Sequence, residues 1–120
     1  GMNTMKKLRV RVTVDRPIGY VDEFNNTYPI NYGYIEGIIG GDNEEQDAYI
    51  ISRSVNKPVT NFEGELIAII HRKDDVEDKW VITSKGESYT EKQIRDKVDF
   101  KEKYFNSEIK LIKGKHSKKQ

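Results

Sequence analysis

The sequence predicts an α+β fold that is mainly β: about five short strands in a small antiparallel barrel or sandwich, with one helix packed on it. Three observations lead there. Short apolar runs alternate with turn signals over the first two thirds of the chain. The hydrophobic period then switches once, from two to about 3.6. No internal repeat, linker or second core interrupts the 120 residues, a length that suits one domain.

The elements follow in order. "KKLRVRVTVD" sets Leu8, Val10, Val12 and Val14 against polar partners, the pattern of a half-buried strand. Pro17 and Gly19 end it. "NYGYIEGII" is a second strand of aromatic and β-branched residues. "GGDNEEQ" is a loop, "DAYIISRSV" a strand, and "NKPVTNFEG" a loop. "ELIAIIHRK" is the most apolar strand, "DDVED" an acidic turn and "KWVITSK" a further strand. Ile94, Val98 and Phe105 then share one helical stripe, beside Phe100 and Tyr104. Thr90 followed by Gln93 has the form of a capping box, so a helix is expected over about residues 90–105. "SEIKLIK" adds a last edge strand. The domain is expected to span residues 2–112, with a basic, disordered tail over 113–120. Gly1 before Met2 reads as a remnant of tag cleavage.

Composition narrows the function classes. Cysteine is absent, which removes disulfides and thiolate metal sites and suits a cytoplasmic, reducing setting. No apolar run approaches the roughly 20 residues of a membrane span, and the N-terminus lacks a signal-peptide pattern. Charged residues make up 34% of the chain, yet the net charge is +1. That balance gives no global attraction to nucleic acid, which is therefore an unfavoured partner.

The acids are unevenly placed. Asp42, Glu44 and Asp47 follow D-x-E-x-x-D; Asp74, Asp75, Glu77 and Asp78 form a second cluster; Asp15 ends the first strand. Carboxylates at strand ends that meet at one barrel mouth would need a cation to neutralise them. Oxygen donors without cysteine favour Mg²⁺, Mn²⁺ or Ca²⁺. The plainer reading is that acidic loops are solvated turns, since Asp favours turn geometry. An EF-hand does not fit, because its sixth position is Asp47 where glycine is needed.

The stretch "YPINYGYIEGIIGGDNEEQD", Tyr28 to Asp47, resembles the signature of the family I, soluble inorganic pyrophosphatases. Tyr28, Pro29, Asn31, Tyr32, Gly33, Tyr34 and Ile35 match in order and spacing. Asp42, Glu44 and Asp47 fall on the three acids, with Glu for Asp in the middle. "VDRP", "HRKDDVEDKWVI" and "FKEKYF" extend the likeness over most of residues 8–105. The resemblance implies an OB-like five-stranded barrel and Mg²⁺-dependent hydrolysis of pyrophosphate, or a related phosphoanhydride, by a metal-activated water, with Mn²⁺ as an alternative ion. It implies metal ligation by Asp42, Glu44, Asp47, Asp75, Asp78 and Asp15. It gives catalytic roles to Glu44 as general base, and to Tyr32 and Asp42. Substrate contacts fall to Tyr104, Arg16, Arg72 and Lys79. The family often forms symmetric oligomers, so a homo-oligomer stays open.

The departures concern basic groups. The family's segment with a Lys, a Glu and an Arg shrinks here to "IGYVDEFNNT", which has no basic residue. Its Lys after the second acidic pair falls on Trp80, with Lys79 one place early and expected to face the other way. Its Lys after the helix Tyr falls on Phe105. Arg16, His71, Arg72 and Lys73 are the substitutes at hand. Two alternatives therefore stand beside hydrolysis: a weak or inactive metal- or phosphate-binding barrel, and an OB-like nucleic-acid binder.

Overall fold

The structure is a computed structural model that describes residues 7–112, so the tail expected over 113–120 lies outside the described residues. Six strands and one helix follow in the order β1 (Arg9–Arg16), β2 (Tyr32–Ile39), β3 (Glu45–Ile50), β4 (Asn61–Arg72), β5 (Asp78–Thr83), α1 (Glu91–Glu102) and β6 (Ser107–Leu111). The sheet runs β1-β2-β3-β5-β4-β6, and β1 also pairs with β4, which closes a five-stranded barrel and leaves β6 on its outside. Closure protects every barrel strand from an open edge. The expected barrel and helix are present, with one difference in pairing: β3 and β5 run parallel, Ala48 opposite Trp80, while the other barrel pairs are antiparallel.

The chain's alternation divides two apolar clusters between the faces of this sheet. Val10, Val12, Ile35, Ala48, Ile50, Leu66 and Ile82 come from all five barrel strands and fill the interior. Tyr32, Tyr49, Ile67, Ile70 and Val81 point outward and are covered by Ile94 and Val98 of α1. The helix starts as its sequence predicts. Gln93 N donates to Thr90 Oγ1 at 3.1 Å, and Thr90 N donates to Gln93 Oε1 at 2.8 Å, a complete capping box. It stops at Glu102 instead of about 105.

Two strands start earlier than the sequence suggests. β4 reaches back through Gly64, because a side chain there would run into the Thr83 carbonyl at 2.3 Å. β3 includes Glu45 and Gln46, whose amide donates to the backbone carbonyl of Asp78 at 2.7 Å and ties β3 to β5. Among the described residues no helix is long and apolar enough to cross a membrane.

Candidate active site

The acidic strand ends do not meet at a barrel mouth. The charged centre lies on the outer face of β2, β3 and β5, beside the end of α1. Its middle is Lys79, whose side chain is almost fully buried. The ammonium donates to Asp47 Oδ2 at 2.6 Å, to Glu77 Oε2 at 2.6 Å and to Tyr32 OH at 2.9 Å. Those three acceptors match its three protons. The parallel register explains the first contact: with Ala48 opposite Trp80, the preceding residues Asp47 and Lys79 are neighbours. Strand alternation explains the second, since Glu77 and Lys79 are two residues apart and share a face.

A second ion pair adjoins the first. Arg72 donates to Glu102 through Nε at 3.1 Å and Nη2 at 2.7 Å, and the Tyr49 hydroxyl donates to the same carboxylate at 2.6 Å. Glu102 is wholly buried. The Arg72 guanidinium lies 3.6 Å from the Phe105 ring centroid and 3.9 Å from Glu77 Oε1, so the two networks touch at Glu77. On the other side, Arg16 donates to the Tyr28 hydroxyl and sits among the rings of Tyr20, Tyr28 and Tyr32, 5.4–5.7 Å from their centroids.

Electrostatics separates the two central carboxyls. Burial alone would raise Asp47, but the hydrogen bond and charge of Lys79 bring it below the usual carboxylate range. For Glu77 burial prevails, so its carboxyl is raised despite Lys79. Asp15 is also raised, chiefly by burial, with the Asp47 charge adding to it. The Tyr32 hydroxyl is pushed well up, first by burial and then by Asp47, so it stays a proton donor. The face thus holds one readily ionised carboxylate, one carboxyl that keeps its proton to higher pH, a fixed cation and a phenol. This is the separation that lets neighbouring acids take different roles.

The expected residues divide into those brought together and those left apart. Asp47, Tyr32 and Lys79 form the centre, and the exposed Asp15 lies near enough for the Asp47 charge to act on it. Lys79 faces the charged centre on the outer side of the barrel, contrary to the register in which Trp80 took its place, and Trp80 packs with the interior cluster. Asp78, expected as a metal ligand, faces away: its Oδ1 is 2.8 Å from His71 Nδ1 at an exposed edge. Glu77 faces the charged centre instead. Asp42 sits on the exposed tip of the β2–β3 hairpin, where Oδ1 accepts from Glu44 N at 3.0 Å. Glu44 and Asp75 are exposed as well, and Asp75 Oδ1 accepts from Val76 N. Gly41 packs so closely on the second acidic loop that a Cβ would lie 2.1 Å from the Val76 carbonyl. The hairpin tip is thereby seated against the loop that carries Glu77. Arg72, expected at the substrate, is bound to Glu102. Tyr104 is exposed and donates to Asn26 Oδ1 at 3.2 Å. The sequence placed Glu77 in the second acidic cluster without a role of its own, and no role fell to Glu102 or Tyr49. One signal was present: Ile94, Val98 and Glu102 recur at four-residue steps, which puts a glutamate on the apolar stripe of the helix.

A hard divalent cation suits the donors. Asp47, Glu77 and the Tyr32 hydroxyl already converge on one cationic nitrogen. Among the described residues no group of three or more His, Asp or Glu side chains is gathered to hold an ion.

The chain matches the family model described as inorganic pyrophosphatase over residues 4–112. No curated protein matches it significantly in sequence. Among solved structures, it is similar to the inorganic pyrophosphatase of Ehrlichia chaffeensis, with a TM-score of 0.66 and 16% identity, over 93% of this chain and 90% of that one. It is also similar to the inorganic pyrophosphatase of Coxiella burnetii, with a TM-score of 0.61 and 14% identity, over 95% and 90%. The enzyme of Neisseria gonorrhoeae gives a TM-score of 0.58 at 15% identity, over 77% and 70%.

Proposed function

The chain belongs to the inorganic pyrophosphatase family, and from that premise we propose that it hydrolyses the phosphoanhydride of pyrophosphate with the help of Mg²⁺ or Mn²⁺. The observation that carries the proposal is the meeting of Asp47, Glu77, Tyr32 and Lys79 on one outer face of the barrel. In the proposed site Asp47 and Glu77 would hold the ion, and Asp15 would add charge from β1. Asp42 and Glu44, exposed on the hairpin tip that is seated against the Glu77 loop, would complete the set, with Glu44 accepting the proton of the attacking water. A bound divalent ion supplies a water acidic enough to react near neutral pH. Lys79, hydrogen-bonded here to Asp47, Glu77 and Tyr32, would offer its ammonium to the phosphoryl oxygens once an ion took over the charge of those carboxylates. Tyr32 donates its retained proton to the same oxygens, and Arg16 anchors the far phosphate from its tyrosine cage.

One observation favours a second reading, a phosphate-binding barrel without turnover. Lys79 already neutralises the carboxylates that the ion needs. The two readings separate in one assay. Hydrolysis predicts phosphate release from pyrophosphate that rises with added Mg²⁺ or Mn²⁺ and stops in chelator. Release no faster than in buffer, together with pyrophosphate binding, would select the second reading.

A further inference from the structure

Beside the charged centre lies an aromatic shelf that pyrophosphate alone does not use. Phe24 is 71% exposed, Tyr104 60% and Phe105 40%. With Asn26 and Lys101 they line a cavity of about 500 Å³. A second cavity of about 210 Å³ is lined by Arg16, Tyr20, Asp22 and Glu23, and it shares Phe24 and Lys101 with the first. An arginine-lined cavity and an aromatic one thus adjoin at Phe24 and Lys101.

The shelf is built, not incidental. The turn that displays Phe24 is organised by the buried carboxylate of Asp22. Its Oδ1 accepts from the backbone of Phe24 and of Asn26 at 2.9 Å each, and its Oδ2 accepts from Lys101 at 2.9 Å. That last bond fixes the turn to the end of α1, and the bond from Tyr104 to Asn26 fixes it again. Phe24 is thus an exposed ring on an anchored backbone, so little freedom is lost when a partner covers it. Cationic side chains flank the rings: Lys103 lies 5.4 Å from the Tyr104 centroid, while Lys101, 5.4 Å from that of Phe24, and Arg72, 3.6 Å from that of Phe105, are held by Asp22 and Glu102. Asp22 spends its charge on Lys101 and the turn, which leaves Glu23 as the other acid of the smaller cavity.

We propose that this shelf receives the base of a nucleotide whose diphosphate arm lies toward Arg16 and the charged centre. The ligand class is a nucleoside diphosphate. This rests on the phosphoanhydride reading above and narrows its substrate. Flat aromatic rings stack on any base, and the adjoining cavity offers Arg16 to the diphosphate.

The test compares two non-hydrolysable probes by calorimetry in the presence of Mg²⁺: methylenediphosphonate, which has no base, and α,β-methylene-ADP. The inference expects the nucleotide probe to bind about tenfold more tightly, as one stacked base allows. It expects Phe24→Ala to bring the ratio of the two affinities close to one, and Phe24→Trp to preserve it. Equal affinities in the native protein would overturn the inference while leaving the phosphoanhydride reading intact. Binding of neither probe would overturn both. A ratio unmoved by Phe24→Ala would place the base elsewhere and overturn it, as would concentration-dependent dimerisation that Phe24→Ala abolishes.

Discussion

The Lys79 ammonium donates to the Asp47 carboxylate at 2.6 Å across the parallel β3–β5 pair, and this contact defines the candidate site. In the proposed function this protein cation and a divalent ion would compete for one group of oxygens. Replacing Lys79 with Met leaves Asp47 and Glu77 facing each other without their cation. The variant is expected to bind Mn²⁺ about tenfold more tightly than the native protein, equivalent to ~1.4 kcal/mol. Calorimetric titration checks this. Equal Mn²⁺ affinity would mean that the metal sits elsewhere.

The hairpin tip gives a second comparison. Asp42 and Glu45 are acids of one exposed segment. Only Asp42 falls on the acidic triplet of the signature, and Glu45 points to the Gly37 amide at 3.4 Å. Asp42→Ala should cost most of any Mg²⁺-dependent turnover, whereas Glu45→Ala should leave it near the native rate. Both should keep the native fold, within about 0.5 kcal/mol for exposed changes. If the two variants lose turnover equally, the register through "GGDNEEQD" is wrong.

Arg72 and Glu102 supply a stability test. Their pair is buried under α1, and burial of either partner alone leaves an uncompensated charge. Glu102→Gln should destabilise the protein by about 3–5 kcal/mol in urea unfolding. The double change Arg72→Met with Glu102→Leu should recover most of that loss. An additive double mutant would contradict the ion-pair account.

The far end of the barrel predicts a pH effect. Burial would raise Glu87, but the hydrogen bond from Tyr89, that from Arg53 N and those from Ser52 and Ser54 bring it down to about 2. A carboxylate whose folded value lies below its unfolded one adds stability above the unfolded value, near 4.5. That stability is lost as pH falls from about 4.5 toward 2. The native protein should therefore melt higher than Glu87→Gln at pH 7, and the gap should close between pH 4.5 and 2. A gap independent of pH would remove Glu87 as its cause.

Much of the fold was legible in the sequence because it rests on local rules. Alternation at Val10 and Val12, the Thr90–Gln93 capping box and the Ile94–Val98 stripe each act within a few residues. What stayed hidden depends on partners distant in sequence. The parallel pairing of Ala48 with Trp80 has no local signature. Nor has the approach of Gly64 to Thr83, which extends β4. The site divides in the same way. Tyr32 and Asp47 stand in the signature stretch. The run of acids in "DDVED" obscured which of Glu77 and Asp78 faces the charged centre, and with it the orientation of Lys79. Alternation from the buried Val81 back to Lys79 and Glu77 carried that answer, against the spacing that pointed to Trp80.

The most direct test is phosphate release from pyrophosphate with millimolar Mg²⁺, measured in parallel on the native protein and on Asp47→Asn, each confirmed to be folded. Asp47→Asn keeps the shape of the side chain and removes the charge that Lys79 and the ion share. The expected result is Mg²⁺-dependent release of two phosphates per pyrophosphate by the native protein, and a loss of about 100-fold or more in the variant, in keeping with removal of a group that stabilises developing charge. Equal release by the two proteins, or none above buffer by the native one, would contradict the assignment of this face as the site of hydrolysis.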